Sequence, residues 1–378
     1  MDGWRQIGGK FLAAFALGAL FCGCSSYNDP YYVHSVWRPA DASESHADVF
    51  FLTNRTPNPN WLPDRFDRTR GDAACGAMQA ALPPARRPGG EPRFARETGR
   101  TAIACGKDLD TFAAHIADAA HARRCNSVLI YVHGFNTGFE TAILRAAQLG
   151  NDTQWACAVA AFSWNSAGRR DSRSYDADRA AATAAEPLFA SFLRALGAQG
   201  LRANIIAHSM GTRLVLGAMV HDHGADADEV IFAAPDIGTD AFSTLIETAW
   251  QHFRRLTIYV SNGDVALAVS PRLNHGAARL GRVPGDAHDI HSIDVIDASD
   301  APADILGHGY YGLSYEMLAD MRLALAGQTA EQRLAPYRSQ PPTLERADDG
   351  TYKLAVRWQR APNIFTRFLR WLAASIVG

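Results

Sequence analysis

The stretch Ala203-Asn-Ile-Ile-Ala-His-Ser-Met-Gly-Thr-Arg213 reads as a strand, a sharp turn and a helix. Within it, Ala207-His208-Ser209-Met210-Gly211 places a serine between small residues at the turn, with Ala in place of the more usual first Gly. Small residues are needed because side chains at 207 or 211 would strike the neighbouring strand or helix. Ser209 is thereby pushed into the mouth of the expected site, at the start of a helix whose dipole favours negative charge. A serine so placed can attack a carbonyl once a base removes its proton.

Three further stretches supply the rest of that chemistry. Tyr131-Val-His-Gly-Phe-Asn-Thr137 follows a strand and suits a loop whose Phe135 N–H, with the Met210 N–H, would face a developing oxyanion. Tyr259-Val-Ser-Asn-Gly-Asp264 ends a strand on an acid, and Gly307-His308-Gly309-Tyr310 places a histidine on a Gly-flanked loop after the last expected strand. In the acyl-transfer template His308 takes the Ser209 proton and Asp264 orients and charges-balances His308. Asp236, after the strand next to that of the serine, is the alternative acid. His275, His288 and His291 are the rival bases, and His308 is preferred for its loop. His133 is expected to pack beneath its loop and bond to backbone rather than move protons.

These stretches need a scaffold that gathers strand ends. From residue 108 onward, short apolar runs at 127–132, 158–162, 203–207, 229–234, 256–260 and 292–297 alternate with helical patterns. Strands apolar throughout are expected where helices cover both faces of a parallel sheet. Alternation implies right-handed crossovers, and ligands then bind beyond the carboxyl ends of the strands. Residues 48–53 read as a first strand, and 56–105, dense in Pro and Gly, as an irregular or partly stranded excursion. Residues 330–350 read as a linker or loose tail, and 362–378 as a segment that packs on the domain or lies at a membrane interface. The run His221–Glu229 is rich in possible metal ligands but lacks a ligand spacing, so a solvated loop is expected. No metal or cofactor is implied.

The chain has 378 residues, with 37 Lys and Arg against 39 Asp and Glu. That balance provides no basic footprint for nucleic acid. Residues 11–21 are uncharged and apolar after a start holding Arg5 and Lys10. The run is shorter than the about 20 residues of a membrane span and has the layout of an export signal. It ends in Phe21-Cys22-Gly23-Cys24-Ser25, which resembles a lipoprotein box with Cys24 as the lipidated residue. An uncleaved anchor or ordinary signal peptide is the alternative. The expected location is the periplasmic side of a membrane, by preference the outer one, with secretion or an inner-membrane anchor as alternatives. Export makes disulfides permissible, and the expected pairs are Cys75–Cys105 and Cys125–Cys157.

Together, Phe51-Leu-Thr-Asn-Arg55, Val132-His-Gly-Phe-Asn136, Phe162-Ser-Trp164, Ala207–Gly211, Ser261–Asp264 and Gly307–Tyr310 resemble an uncharacterised bacterial α/β-hydrolase family known only as esterase/lipase-like. Asn165 stands where relatives often carry Pro. The resemblance implies an α/β-hydrolase fold, a mostly parallel sheet with helices on both faces, and the triad Ser209, Asp264 and His308. The expected organisation is a signal over 1–24, a tether over 25–45, a hydrolase domain over 46–328 and an extension over 329–378. The expected function is cleavage of small or lipid-like carboxylic esters by a membrane-anchored serine hydrolase. The alternatives are an envelope lipoprotein that binds a partner or lipid with little turnover, and an acyltransferase.

Overall fold

Ser127–Val132 is apolar almost throughout, and in the computed structural model all of it is buried as a central strand. The structure describes residues 45–58, 66–82, 100–103, 105, 108–166, 172–222, 224–273, 277–282, 293–303, 307–338 and 340–356. In chain order the strands are β1 (Ser45–Pro57), β2 (Phe66–Leu82), β3 (Arg100–Ile103), β4 (Ser127–Val132), β5 (Ala158–Ser163), β6 (Arg202–His208), β7 (Ala227–Ala233), β8 (Phe253–Val260), β9 (Ile293–Asp297), β10 (Leu344–Arg346) and β11 (Tyr352–Leu354). The helices are α1 (Leu109–Ala122), α2 (Phe139–Asp152), α3 (Ser172–Ala198), α4 (Gly211–His221), α5 (Thr239–Ala249), α6 (Val265–Leu273), α7 (Tyr310–Leu313), α8 (Tyr315–Leu325) and α9 (Ala330–Arg333).

Among the described residues the strands form one sheet in the order β10-β11-β9-β8-β7-β6-β4-β5-β1-β2-β3. From β1 through β5, β4, β6, β7, β8 and β9 to β11 every neighbouring pair is parallel. The chain passes from β4 outward to β5, then returns across β4 to β6. Crossovers therefore reverse between β4 and β6, and the ends of these strands part to leave a crevice. This is the α/β-hydrolase fold. Phe112, Phe189, Phe192 and Leu214 of α1, α3 and α4 pack on one face of the sheet. Phe139, Ile143, Met317 and Leu318 of α2 and α8 pack on the other. Each such side chain, fully buried, contributes on the order of 2 kcal/mol from area alone.

The described part of the excursion after β1 is stranded, at residues 66–82 and 100–103. β2 runs antiparallel to β1, and β3 antiparallel to β2. The many Ala and Gly residues of β2 disfavour a strand intrinsically, but they face the large Phe50 and Phe51 of β1, and this fit overrides propensity. The β1–β2 register shifts around Arg55, and there a Cβ on Gly71 would lie 2.9 Å from the Thr56 Cα. Cys75 and Cys105 are bonded across Cα atoms 5.4 Å apart, and Cys125 and Cys157 across 6.0 Å.

The described residues between 329 and 356 do not run loose. Thr329 and Gln332 form a capping box on α9, and β10 and β11 extend the sheet beside β9. Arg333, wholly buried, pairs with Asp320 and Asp294, while Thr343 and Tyr259 donate to Asp320. Among the described residues no helix is long and apolar enough to cross a membrane. Cys24, residues 25–44 of the expected tether, His275, His288, His291 and residues 362–378 lie outside the described residues, while Ser45 opens β1.

Candidate active site

Ser209 follows β6 with φ +53°, in the left-handed region that costs a non-glycine residue about 1–3 kcal/mol. The turn is held from both sides. The Ser209 N–H donates to Ala233 O at 3.0 Å, and Ser209 O accepts from the N–H groups of Asp236 (3.2 Å) and Thr212 (3.1 Å). Its small neighbours are required by space. A Cβ on Gly211 would lie 2.6 Å from His133 O, and one on Gly134 would lie 2.8 Å from the Ser209 Cβ. Ala207 is buried opposite Val132 of β4.

Asp264 and His308 are brought together although 44 positions apart in sequence. His308 Nδ1 lies 2.6 Å from Asp264 Oδ2. The other carboxylate oxygen accepts from the Leu267 N–H at 2.9 Å and so caps α6. Asp264 is fully buried, so its position is set by the helix it caps. A Cβ on Gly307, at φ +70°, would lie 2.2 Å from Gly263 O, which lets the two loops close on each other. The His308 ring packs 4.7 Å from His208, and His208 stacks on Tyr311 at 4.2 Å. Burial first, and then His308, pushes His208 well below the ordinary imidazole range, so it is neutral beside the pair.

The loop after β4 lies against the serine through Gly134. Among the described residues no acceptor takes the N–H of Phe135 or of Met210. His133 sits beneath the loop, stacked on Trp164 at 4.9 Å, with Nδ1 2.8 Å from Gly134 O. Its Nε2 faces Trp164 O at 3.1 Å and the Arg55 guanidinium at 3.4 Å. Burial, and after it Arg55, pushes His133 down to about 3, which makes it a neutral packing element.

Asp236 is near the serine through its backbone, but its carboxylate is already engaged. Tyr175 Oη donates to it at 2.6 Å and Ser270 Oγ at 2.7 Å, and Arg279 Nε lies 3.3 Å away. The charged run 221–229 makes ion pairs outward: Arg194 with Asp222, Arg202 with Asp228 and His252 with Asp226. Three contributors to the site carry no chemical signature in the sequence. Asp178, Tyr311 and Arg145 lie within helical patterns and matter only for what they touch, such as the Tyr311 ring under Arg145 at 5.4 Å. Asn165, in place of Pro, has a use: its N–H donates to Asn54 Oδ1 at 2.9 Å, a bond proline cannot make.

The strained serine between β6 and α4, the acid after β8 and the histidine after β9 lie at the carboxyl ends of one doubly wound sheet, which makes the protein an α/β hydrolase in fold. The chain belongs to the family described as alpha/beta hydrolase of unknown function (DUF900), whose model matches residues 109–325. No curated protein matches it. Among solved structures it is similar to a cold-adapted esterase from an Arctic intertidal metagenomic library (12% identity, TM-score 0.35, 75% of this chain and 98% of that one). It is also similar to a CIB-like hydrolase from Thermoplasma acidophilum (13%, TM-score 0.33, 75% and 100%). A third likeness is to an esterase B from Lactobacillus rhamnosis (10%, TM-score 0.34, 86% and 98%). No activity passes from these likenesses to this chain.

Proposed function

We propose that the protein is a serine hydrolase that cleaves small or lipid-like carboxylic esters through an acyl-enzyme. The observation that carries this reading is the buried Asp264–His308 pair, 2.6 Å apart, on loops at the same sheet edge as Ser209. With Nδ1 bonded to Asp264, Nε2 of His308 is the nitrogen that takes the Ser209 proton. Ser209 Oγ adds to the ester carbonyl, and the carbonyl oxygen gains negative charge. The N–H groups of Phe135 and Met210 stabilise that charge. His308 then protonates the leaving alcohol, and the acyl group stays on Ser209. Water, deprotonated by His308, adds to the acyl-enzyme and releases the acid. Asp264 stabilises the imidazolium formed in each half. The engaged carboxylate of Asp236 is held by Tyr175, Ser270 and Arg279, so it is the weaker choice of acid.

The test uses the purified full chain. Ser209→Ala should abolish hydrolysis of short p-nitrophenyl esters and labelling by a fluorophosphonate, and retained labelling would sink the assignment. Asp264→Asn should lower kcat by about 10³-fold or more, far beyond Asp236→Asn. The reverse ranking would move the acid to residue 236.

A further inference from the structure

Two of the motifs in the sequence, Phe51–Arg55 and Phe162–Trp164, hold none of the residues that the proposed reaction uses. In the structure they meet beneath the loop His133–Thr137. Thr53 Oγ1 donates to Ser163 O at 2.6 Å, and Arg55 Nε donates to Ser163 Oγ at 3.0 Å. Arg55 Nη2 reaches further and donates to Thr137 O at 2.7 Å. Trp164 Nε1 donates to His133 O at 2.9 Å. Arg55 is wholly buried at the end of β1, a strand that precedes the stretch matched by the family.

The other flank of the loop is held by a carboxyl group. Asp178 of α3 is also wholly buried, and its Oδ2 accepts from the Asn136 N–H at 3.1 Å and from Ser166 Oγ. Asn136 has φ +52°, a conformation that must be imposed on it. The Phe135 peptide thus lies between a His133 carbonyl tied to Trp164, an Asn136 amide tied to Asp178 and a Thr137 carbonyl tied to Arg55. Burying a guanidinium and a carboxyl group at one loop is costly unless their bonds do something apolar residues cannot. Fixing the direction of one backbone N–H is such a task, because a donor stabilises an oxyanion only when it is aimed in advance.

We propose that Arg55 and Asp178 are positioning residues that hold the His133–Thr137 loop so that the Phe135 N–H faces the oxyanion formed at Ser209. The proposal rests on the serine-hydrolase reading. Neither residue touches the substrate. Their effect is therefore on charge developed in the transition state and not on ground-state binding.

The experiment compares the full-length protein with Asp178→Asn, Arg55→Lys and the milder Ser166→Ala. Asparagine keeps an oxygen that can accept but lacks the carboxyl charge that strengthens both bonds, and lysine cannot bridge Ser163 Oγ and Thr137 O as the guanidinium fork does. Steady-state rates on p-nitrophenyl butyrate, fluorophosphonate labelling rates and thermal midpoints are read for each. The expected result is a kcat lower by roughly 10- to 100-fold for the two charge variants, with KM within about threefold and labelling slowed in parallel. The double variant should lose little beyond the worse single one, since both act on one loop. If the charge variants do not fold, Ser166→Ala decides the matter, with a several-fold loss of kcat expected at unchanged KM. Folded variants with wild-type kcat and labelling, or with raised KM alone, would overturn the proposal and leave the serine-hydrolase reading intact. A wild-type protein that never labels would overturn both.

Discussion

Ser209 is the one residue of the site whose backbone is as specialised as its side chain. Its φ is positive, and the loop after β4 can approach its Cβ closely only because position 134 lacks a Cβ. Gly134 is not itself in the left-handed region, so its role is one of room and not of conformation. Gly134→Ala would put a methyl 2.8 Å from the Ser209 Cβ and 3.0 Å from His208 O. The expected outcome is a folded protein with kcat/KM reduced by about 100-fold. Near-wild-type activity would show that the loop can retreat at no cost. His133 is a second residue-scale case. Its neutral form is held down to about pH 3 by burial and Arg55, so its ring C–H resonances should not move between pH 5 and 8. A resonance titrating near the ordinary value of about 6.5 would contradict the packing described. Ser209, Asp264 and His308 could be singled out as candidates because the proposed nucleophile, acid and base come from a short menu of residues. Asp178 was not readable, since a carboxylate in an Ala-rich helix looks the same whether it faces water or a backbone N–H.

At the scale of elements, the strands after residue 108 were legible because full burial on both faces leaves a continuous apolar run. Expected and observed bounds agree closely for β4, β5 and β6, while β8 begins three residues earlier than its apolar run. β2 was not legible. Its Ala and Gly residues carry little strand signal, and only the aromatic face of β1 gives them a partner. The stretch 329–356 was hidden for another reason: its anchors are polar. Arg333 is wholly buried, and its Nε and Nη2 lie 3.5 Å from Asp320 and 3.4 Å from Asp294. Arg333→Met should therefore leave two carboxylates short of their cation and destabilise the fold by about 3–5 kcal/mol. Chemical denaturation measures this directly, and a loss below about 1 kcal/mol would mean that the extension is held by its strand pairing alone.

At the scale of the whole molecule, the features that set location are separate from those that set chemistry. The proposed lipid attachment at Cys24 would tether the hydrolase to a membrane surface, where lipid-like esters are concentrated. Cys24→Ser should shift the protein from the membrane fraction to the soluble fraction of an envelope preparation, with specific activity on p-nitrophenyl esters unchanged. A variant that stays in the membrane fraction would locate the attachment elsewhere. The two disulfides fit the same setting, since both close at positions that an oxidising compartment would fix.

Sequence alone determined the α/β class and the turn that bears Ser209, and it put forward Asp264 and His308 as acid and base of the proposed reaction. Each of these follows from local rules: burial periodicity, the steric demand of a tight turn, and the small set of side chains able to move a proton at neutral pH. Tertiary structure alone decided which of the two carboxylates meets His308. Asp264 and Asp236 both follow strands, but one faces His308 while the other is surrounded by Tyr175, Ser270 and Arg279. It also decided that Arg55 and Asp178, more than a hundred positions apart, converge on one loop. Such contacts depend on directions that a strand order and a helix face establish together, and no local pattern of residues records them.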